Sequence, residues 1–243
     1  MGRTHALSGA TGWLVGCAAL TAITEPVPAH VVVAGAVISA GWALVPDLDH
    51  PNATASISLG PVTGAMSWVT AAVSRVVSRV TCGCCDGDSD GHRALTHTGA
   101  FAVVMGVLLG VAGWRVGAAA GVPVVGVSAA LAVRGLVSRR RRGWLGIMVV
   151  AVAVGATLAE GGPGWWWIGL PAAWGAWAHC LGDAMTLSRC PLWWPLRVRG
   201  CRWQPVGSPR WLRFRTGSGA ERVVWVALLV GALGAGSYLL GAA

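Results

Sequence analysis

Seven long apolar runs restrict this chain more than any other feature: Ala6–Thr24, Ala29–Val45, Thr98–Gly113, Val116–Val137, Trp144–Ala159, Trp165–Leu181 and Val223–Leu240. A helix crossing a bilayer needs about 20 mostly apolar residues, with a range of roughly 17–25. The runs are rich in Gly and Ala, and small residues let helix backbones approach closely in lipid. They predict an all-α fold, a polytopic transmembrane bundle of about seven spans. Composition points the same way. Charged residues make up 11% of the 243 and hydrophobic ones 55%, too little polar surface to coat a water-soluble globule. The whole chain, 1–243, reads as one membrane-embedded domain, with 81–91, 138–142 and 197–219 as loops on one side.

One further stretch, Leu59–Val80, is apolar but carries Arg75 and Arg79 among its valines. It predicts an extra helix that lies in the interface or re-enters the membrane. Leu14-Val15-Gly16-Cys17 has the form of a lipoprotein cleavage site. The residues before it are interrupted by Ser8, Gly9, Thr11 and Gly12, and the apolar run continues past Cys17. An uncleaved first helix is the better reading.

Arginine placement orients the spans, because short cytoplasmic loops are enriched in basic residues. The chain has no lysine, and its formal charge is +9. Arg139 to Arg142 form one basic block, and Arg197, Arg199, Arg202, Arg210, Arg213 and Arg215 form another. Both are expected inside, whereas the arginine-free connectors 25–29 and 160–164 are expected outside. Alternate threading then puts the N-terminus in the cytoplasm and the C-terminus outside.

That map was drawn without the other ionisable residues, and it gathers them at one face. His5 opens the first span; Asp47, Asp49 and His50 close the second; His92 and His97 precede the third; His179 and Asp183 close the sixth. His30 alone among the histidines falls on the other side. Ionisable groups at membrane depth are costly unless paired or bound to something. One such residue is explained by snorkelling or helix capping; eight on one face point to a metal centre. His179 and Asp183, spaced i,i+4, share a helix face. Pro46 disfavours helix at Val45, so Asp47-Leu48-Asp49 is expected to be extended, with both carboxylates aimed the same way. Arg93 reads either as a clamp for a phosphate group or as a positive-inside anchor.

The expected ligands are therefore His5, Asp47, Asp49, His50, His92, His97, His179 and Asp183, holding one or two divalent ions. Zinc suits them best, with manganese or iron as options. Asp47 or Asp49, where not a ligand, would be the general base, and no glutamate is expected at this face. The expected chemistry is hydrolysis by a water that the ion activates. The partners are then membrane lipids and a lipid-linked or other phosphoester substrate. A metal transporter, or a metal-sensing membrane protein without catalysis, is the alternative, although transporters keep their ligands near the bilayer midplane.

The remaining features read more plainly. Cys82, Cys84 and Cys85 lack a second pair at ribbon-type spacing and read as incidental thiols on a flexible loop. Arg and Trp interleave over 197–215, a pattern that can bind single strands. Trp at the interface beside cytoplasmic Arg is the ordinary membrane arrangement, so nucleic acid is not the expected partner. Trp165-Trp166-Trp167 and Trp193-Trp194 read as belt residues in the same way.

Four segments carry a family resemblance: Thr4-His5, Pro46-Asp47-Leu48-Asp49-His50-Pro51, His92-Arg93-Ala94-Leu95-Thr96-His97-Thr98, and His179 to Asp183 with Thr186. In this order they resemble the TH, PDxDHP, HRGxTHS and HxxxDxxT elements of the LexA-regulated, membrane-bound metal-dependent hydrolases of bacteria. The resemblance implies a site in the bacterial cytoplasmic membrane. Ala94 stands where that family has Gly, Thr98 where it has Ser, and Arg189 where a glycine is common. A fainter similarity to zinc-dependent phospholipases C implies phosphoester chemistry.

Overall fold

In the computed structural model, residues 1–82, 93–138, 142–159 and 164–242 are described. His92, Cys84, Cys85 and most of the 139–142 arginine block lie outside them. Helices form wherever the apolar runs predicted them: α1 (Gly2–Thr21), α2 (Ala29–Trp42), α3 (Pro61–Thr81), α4 (Gly99–Val116), α5 (Ala118–Leu136), α6 (Arg142–Ala159), α7 (Gly169–Ala184) and α8 (Gly219–Ala242). Among the described residues there is no strand, only isolated bridges that pin the 186–214 segment to itself.

Among the described residues, fewer helices than seven are long and apolar enough to cross a membrane. Four qualify, at Ala29–Asp49, Gly99–Val116, Ala118–Leu136 and Gly219–Ala242, together with a shorter apolar stretch, Gly146–Gly155, within α6. The reason lies in what α1 and α7 carry. α1 opens on Arg3, Thr4 and His5, while α7 has 16 residues and ends on His179 and Asp183. Both are packed against protein, α1 against α2, α7 and α8, and α7 against α1, α2 and α4. Helices shielded by protein need less hydropathy than helices facing lipid.

Close approach is built from small residues. Ser39 of α2 is wholly buried and donates to the Pro171 carbonyl at 3.0 Å. A Cβ on Gly9 of α1 or on Gly175 of α7 would collide with the Ser39 backbone, so α1 and α7 both lie directly on α2. Gly117, at φ +58°, turns the chain from α4 into α5 in one residue.

α3 is inverted relative to a soluble helix. Its buried positions are Thr63, Ser67, Ser74 and Ser78, while Val62, Trp68, Val69, Val73, Val76 and Val80 are exposed. Its neighbours are the short turns Pro46–Asp49 and Leu95–His97. A hydroxyl stripe facing protein and an apolar face turned outward is the pattern of a helix lying on lipid.

Candidate metal centre

Four pieces of chain bring the site together at one end of the bundle: the start of α1, the turn after α2, the turn before α4 and the end of α7. Pro46–Asp49 is a 3-10 turn, with Val45 helical at φ −64° and ψ −38°, and not the extended segment expected. Proline at the first position of a helical turn loses no hydrogen bond, so the chain curls on there. As a result the two aspartates reach different atoms of a single ring. Asp47 Oδ1 lies 3.6 Å from His97 Nε2, and Asp49 Oδ2 lies 3.3 Å from His97 Nδ1.

Asp49 Oδ2 also accepts from Arg93 N and Thr96 Oγ1, both at 2.9 Å. Arg93 holds its amide there at φ +56°, a left-handed conformation that costs energy for a residue with a side chain. Arg189, where the resembled family has glycine, is likewise left-handed at φ +59°.

His179 is oriented from behind, with Nδ1 2.8 Å from the Ala43 carbonyl. That nitrogen must carry the hydrogen, which leaves Nε2 with a lone pair in the neutral ring. His97, with Nδ1 against a carboxylate, is fixed the same way. The two Nε2 atoms nonetheless face each other at 3.2 Å. Two lone pairs repel at that distance unless something positive lies between them. A proton on His97 meets the need: burial alone would push this imidazole down, but hydrogen bonds to Asp47 and Asp49 outweigh it and hold it at about 10.

A metal ion meets it too. Ligands at about 2.0–2.1 Å in tetrahedral array stand about 3.3–3.4 Å from one another. The His97 and His179 nitrogens are 3.2 Å apart, and Asp47 Oδ1 is 3.6 Å from each. Asp183 Oδ2 lies 3.7 Å from His97 Nε2 and 3.9 Å from His179 Nε2. This oxygen is buried and has no hydrogen bond among the described residues, although Arg93 Nε stands 3.2 Å away. A second trio, His5, His179 and Asp183, shares His179. His5 Nε2 is 3.4 Å from Asp183 Oδ1, and its ring stacks on His179 with centroids 4.0 Å apart. The donor set of imidazoles and carboxylates suits a divalent ion.

Of the expected residues, His5, Asp47, Asp49, Arg93, His97, His179 and Asp183 therefore share one site. His50 does not join either trio; it is half-buried, and its Nδ1 accepts from Asn52 N at 3.3 Å. His92 lies outside the described residues. Sequence reasoning missed Thr96 and Glu221. Thr4 Oγ1 donates to Glu221 Oε1 at 2.7 Å, so a glutamate does sit at this end, tying α8 to α1 one residue from His5. The signal was present: Thr4-His5 and Thr96-His97 repeat one dipeptide, and each threonine donates to a carboxylate, Glu221 for Thr4 and Asp49 for Thr96. The cysteine reading also changes, since Cys82 and Cys201 are each in a disulfide, while Cys17, Cys180 and Cys190 are buried thiols.

A family model described as YdjM inner membrane protein matches residues 1–242. The chain belongs to that family. Family membership and the long apolar helices make it a membrane protein. No curated protein and no solved structure matches it.

Proposed function

We propose that this YdjM-family chain is a membrane-bound, metal-dependent hydrolase acting on a phosphoester at the headgroup level of the cytoplasmic face. The observation that carries the reading is the opposed pair of Nε2 atoms on His97 and His179, each ring fixed from its far nitrogen. Such backing is the usual support of a metal-binding imidazole.

The residues divide by role. Asp47, His97 and His179 hold the ion, with the Asp183 oxygen that pairs with Arg93 Nε beside them. Asp49 is a positioning residue, since its buried oxygen is used by Arg93 N, Thr96 and His97. His5 and Arg93 flank Asp183 from two sides. His179 belongs to both trios and its Nδ1 is taken by the Ala43 carbonyl, so the site is read as holding one ion, not two. An ion bound there would polarise the scissile bond and bring the pKa of a coordinated water toward neutrality. Arg93 stands next to it, where a guanidinium would bind an anionic group and orient it. α3, with its apolar face outward and its hydroxyl stripe over the two site turns, would keep this end at the lipid surface. Ligands at helix ends favour interfacial chemistry over a transport path, where they lie midway through the bilayer.

The test begins with metal analysis of purified protein, wild type beside His97→Ala. The wild type should carry about one zinc, manganese or iron per chain, and the variant none. A panel of phospholipids and lipid pyrophosphates is then assayed with zinc or manganese and with chelator. Release of phosphate or headgroup that chelator abolishes supports the reading. Bound metal with no release from any lipid would move the function to metal sensing.

A further inference from the structure

The end of the bundle away from the metal centre contains a cavity of about 940 Å³ between α1, α2 and α7. It lies within the size range of ligand pockets, roughly 300–1,000 Å³. From His5 to Gly16 along α1 is about 17 Å at 1.5 Å per residue, so the cavity belongs to the opposite half of the membrane.

Its lining is apolar for a specific reason. Trp13 Nε1 donates to the Val31 carbonyl and Trp174 Nε1 to the Gly9 carbonyl, both at 3.2 Å. The indoles thus spend their polar atoms on backbone and present ring faces to the space. Gly16 forms part of the wall, and a Cβ there would meet nothing within 4 Å. The mouth opens sideways, because Val15, Leu20, Trp166 and Leu170 line the cavity and are also exposed on the outer surface of the bundle. In a membrane protein that surface faces hydrocarbon, so the cavity is continuous with the acyl-chain layer. Its polar edge is His30, beside Trp167 at a ring-centroid distance of 6.0 Å. Water gains no hydrogen bonds in such a space, whereas an apolar guest fills it.

We propose that this cavity is a binding site for one acyl chain of a phospholipid in the leaflet opposite the metal centre, its headgroup lying at the level of His30. The site is independent of the proposed hydrolytic activity and uses none of its residues.

The test uses full-length protein in vesicles of phosphatidylethanolamine and phosphatidylglycerol, with a trace of phosphatidylethanolamine bearing a mid-chain diazirine. After illumination, peptides covering 12–20 and 164–174 should carry label that unlabelled phosphatidylethanolamine competes away. Label on α8 around Gly234, also an open position, should not be competed. Gly16→Phe, at a position where a Cβ meets no atom within 4 Å, should cut the competed label at least tenfold, while Gly234→Phe should leave it unchanged. Equal, non-competed labelling at all exposed faces of the wild type would overturn the proposal, whether or not Gly16→Phe folds. Competed label that persists in folded Gly16→Phe would overturn it as well.

Discussion

At the end that holds His97, helices meet through directional polar contacts: Thr4 with Glu221, His179 with the Ala43 carbonyl, His5 with Asp183. Towards the other end they meet through indoles laid over glycines. Trp13 covers Gly35, Trp174 covers Gly12, and Trp165 covers Gly121. Removing a group from the first kind of contact strands a buried partner, which costs its full desolvation. Removing one from the second kind chiefly changes volume, at most taking away an indole hydrogen bond to a backbone carbonyl, as at Trp13 and Trp174. The polar end is thus able to hold an ion in one geometry, and the apolar end to accommodate guests of loosely defined shape.

Changes that separate the two ends test this contrast most sharply. His179→Ala removes the residue common to both trios, so bound metal measured by elemental analysis should fall to background. Trp165→Ala, at the apolar end, should leave metal content unchanged. A loss of metal in Trp165→Ala would show that the ends are not separable. Asp49→Asn should be milder, because it loosens the support of His97 without deleting a proposed ligand. Affinity for zinc, measured by chelator competition, should drop about 10–100-fold.

The pH dependence comes from His97, whose imidazole is held at about 10 in the metal-free protein. Below that pH an incoming ion must expel a proton. Apparent affinity should therefore rise about tenfold per pH unit from pH 6 to 9, and titration calorimetry in two buffers should register one proton released. The linkage to stability has the opposite slope. A raised imidazole pKa stabilises the metal-free fold fully below the unfolded value, about 6.5, and that contribution disappears as pH rises through about 10. Thermal melting of metal-free protein should show the decline. The smallest effect expected is for Thr4→Val, which leaves Glu221 without one donor and should cost about 1–3 kcal/mol.

Orientation can be read with the same contrast. The arginines predict the polar end inside, and labelling of a cysteine introduced at Arg210 should report cytoplasm. Disulfides belong to oxidising compartments. Labelling at Arg210 from the outside would instead agree with the disulfides of Cys82 and Cys201.

The sequence alone determined the helical class, the run boundaries to within a few residues and the clustering of site residues at one end. The reason is that lipid imposes length and apolarity on each span separately, and both are local properties of a chain. Motif order was equally local, which is why Asp47, His97, His179 and Asp183 were legible before any contact was known. Local rules failed where a neighbour supplied the cause. The hydroxyl stripe of α3 has a face to pack against only because the two site turns lie beneath it. α1 and α7 are less apolar than a lone span would need because other helices surround them. The division of labour between Asp47 and Asp49 turns on which nitrogen of His97 each one reaches. Two residues apart in sequence, they are distinguished only by a 3-10 turn and by an imidazole that arrives from the far side of α3. Glu221, 217 residues from Thr4, joins this end only once α8 has packed on α1.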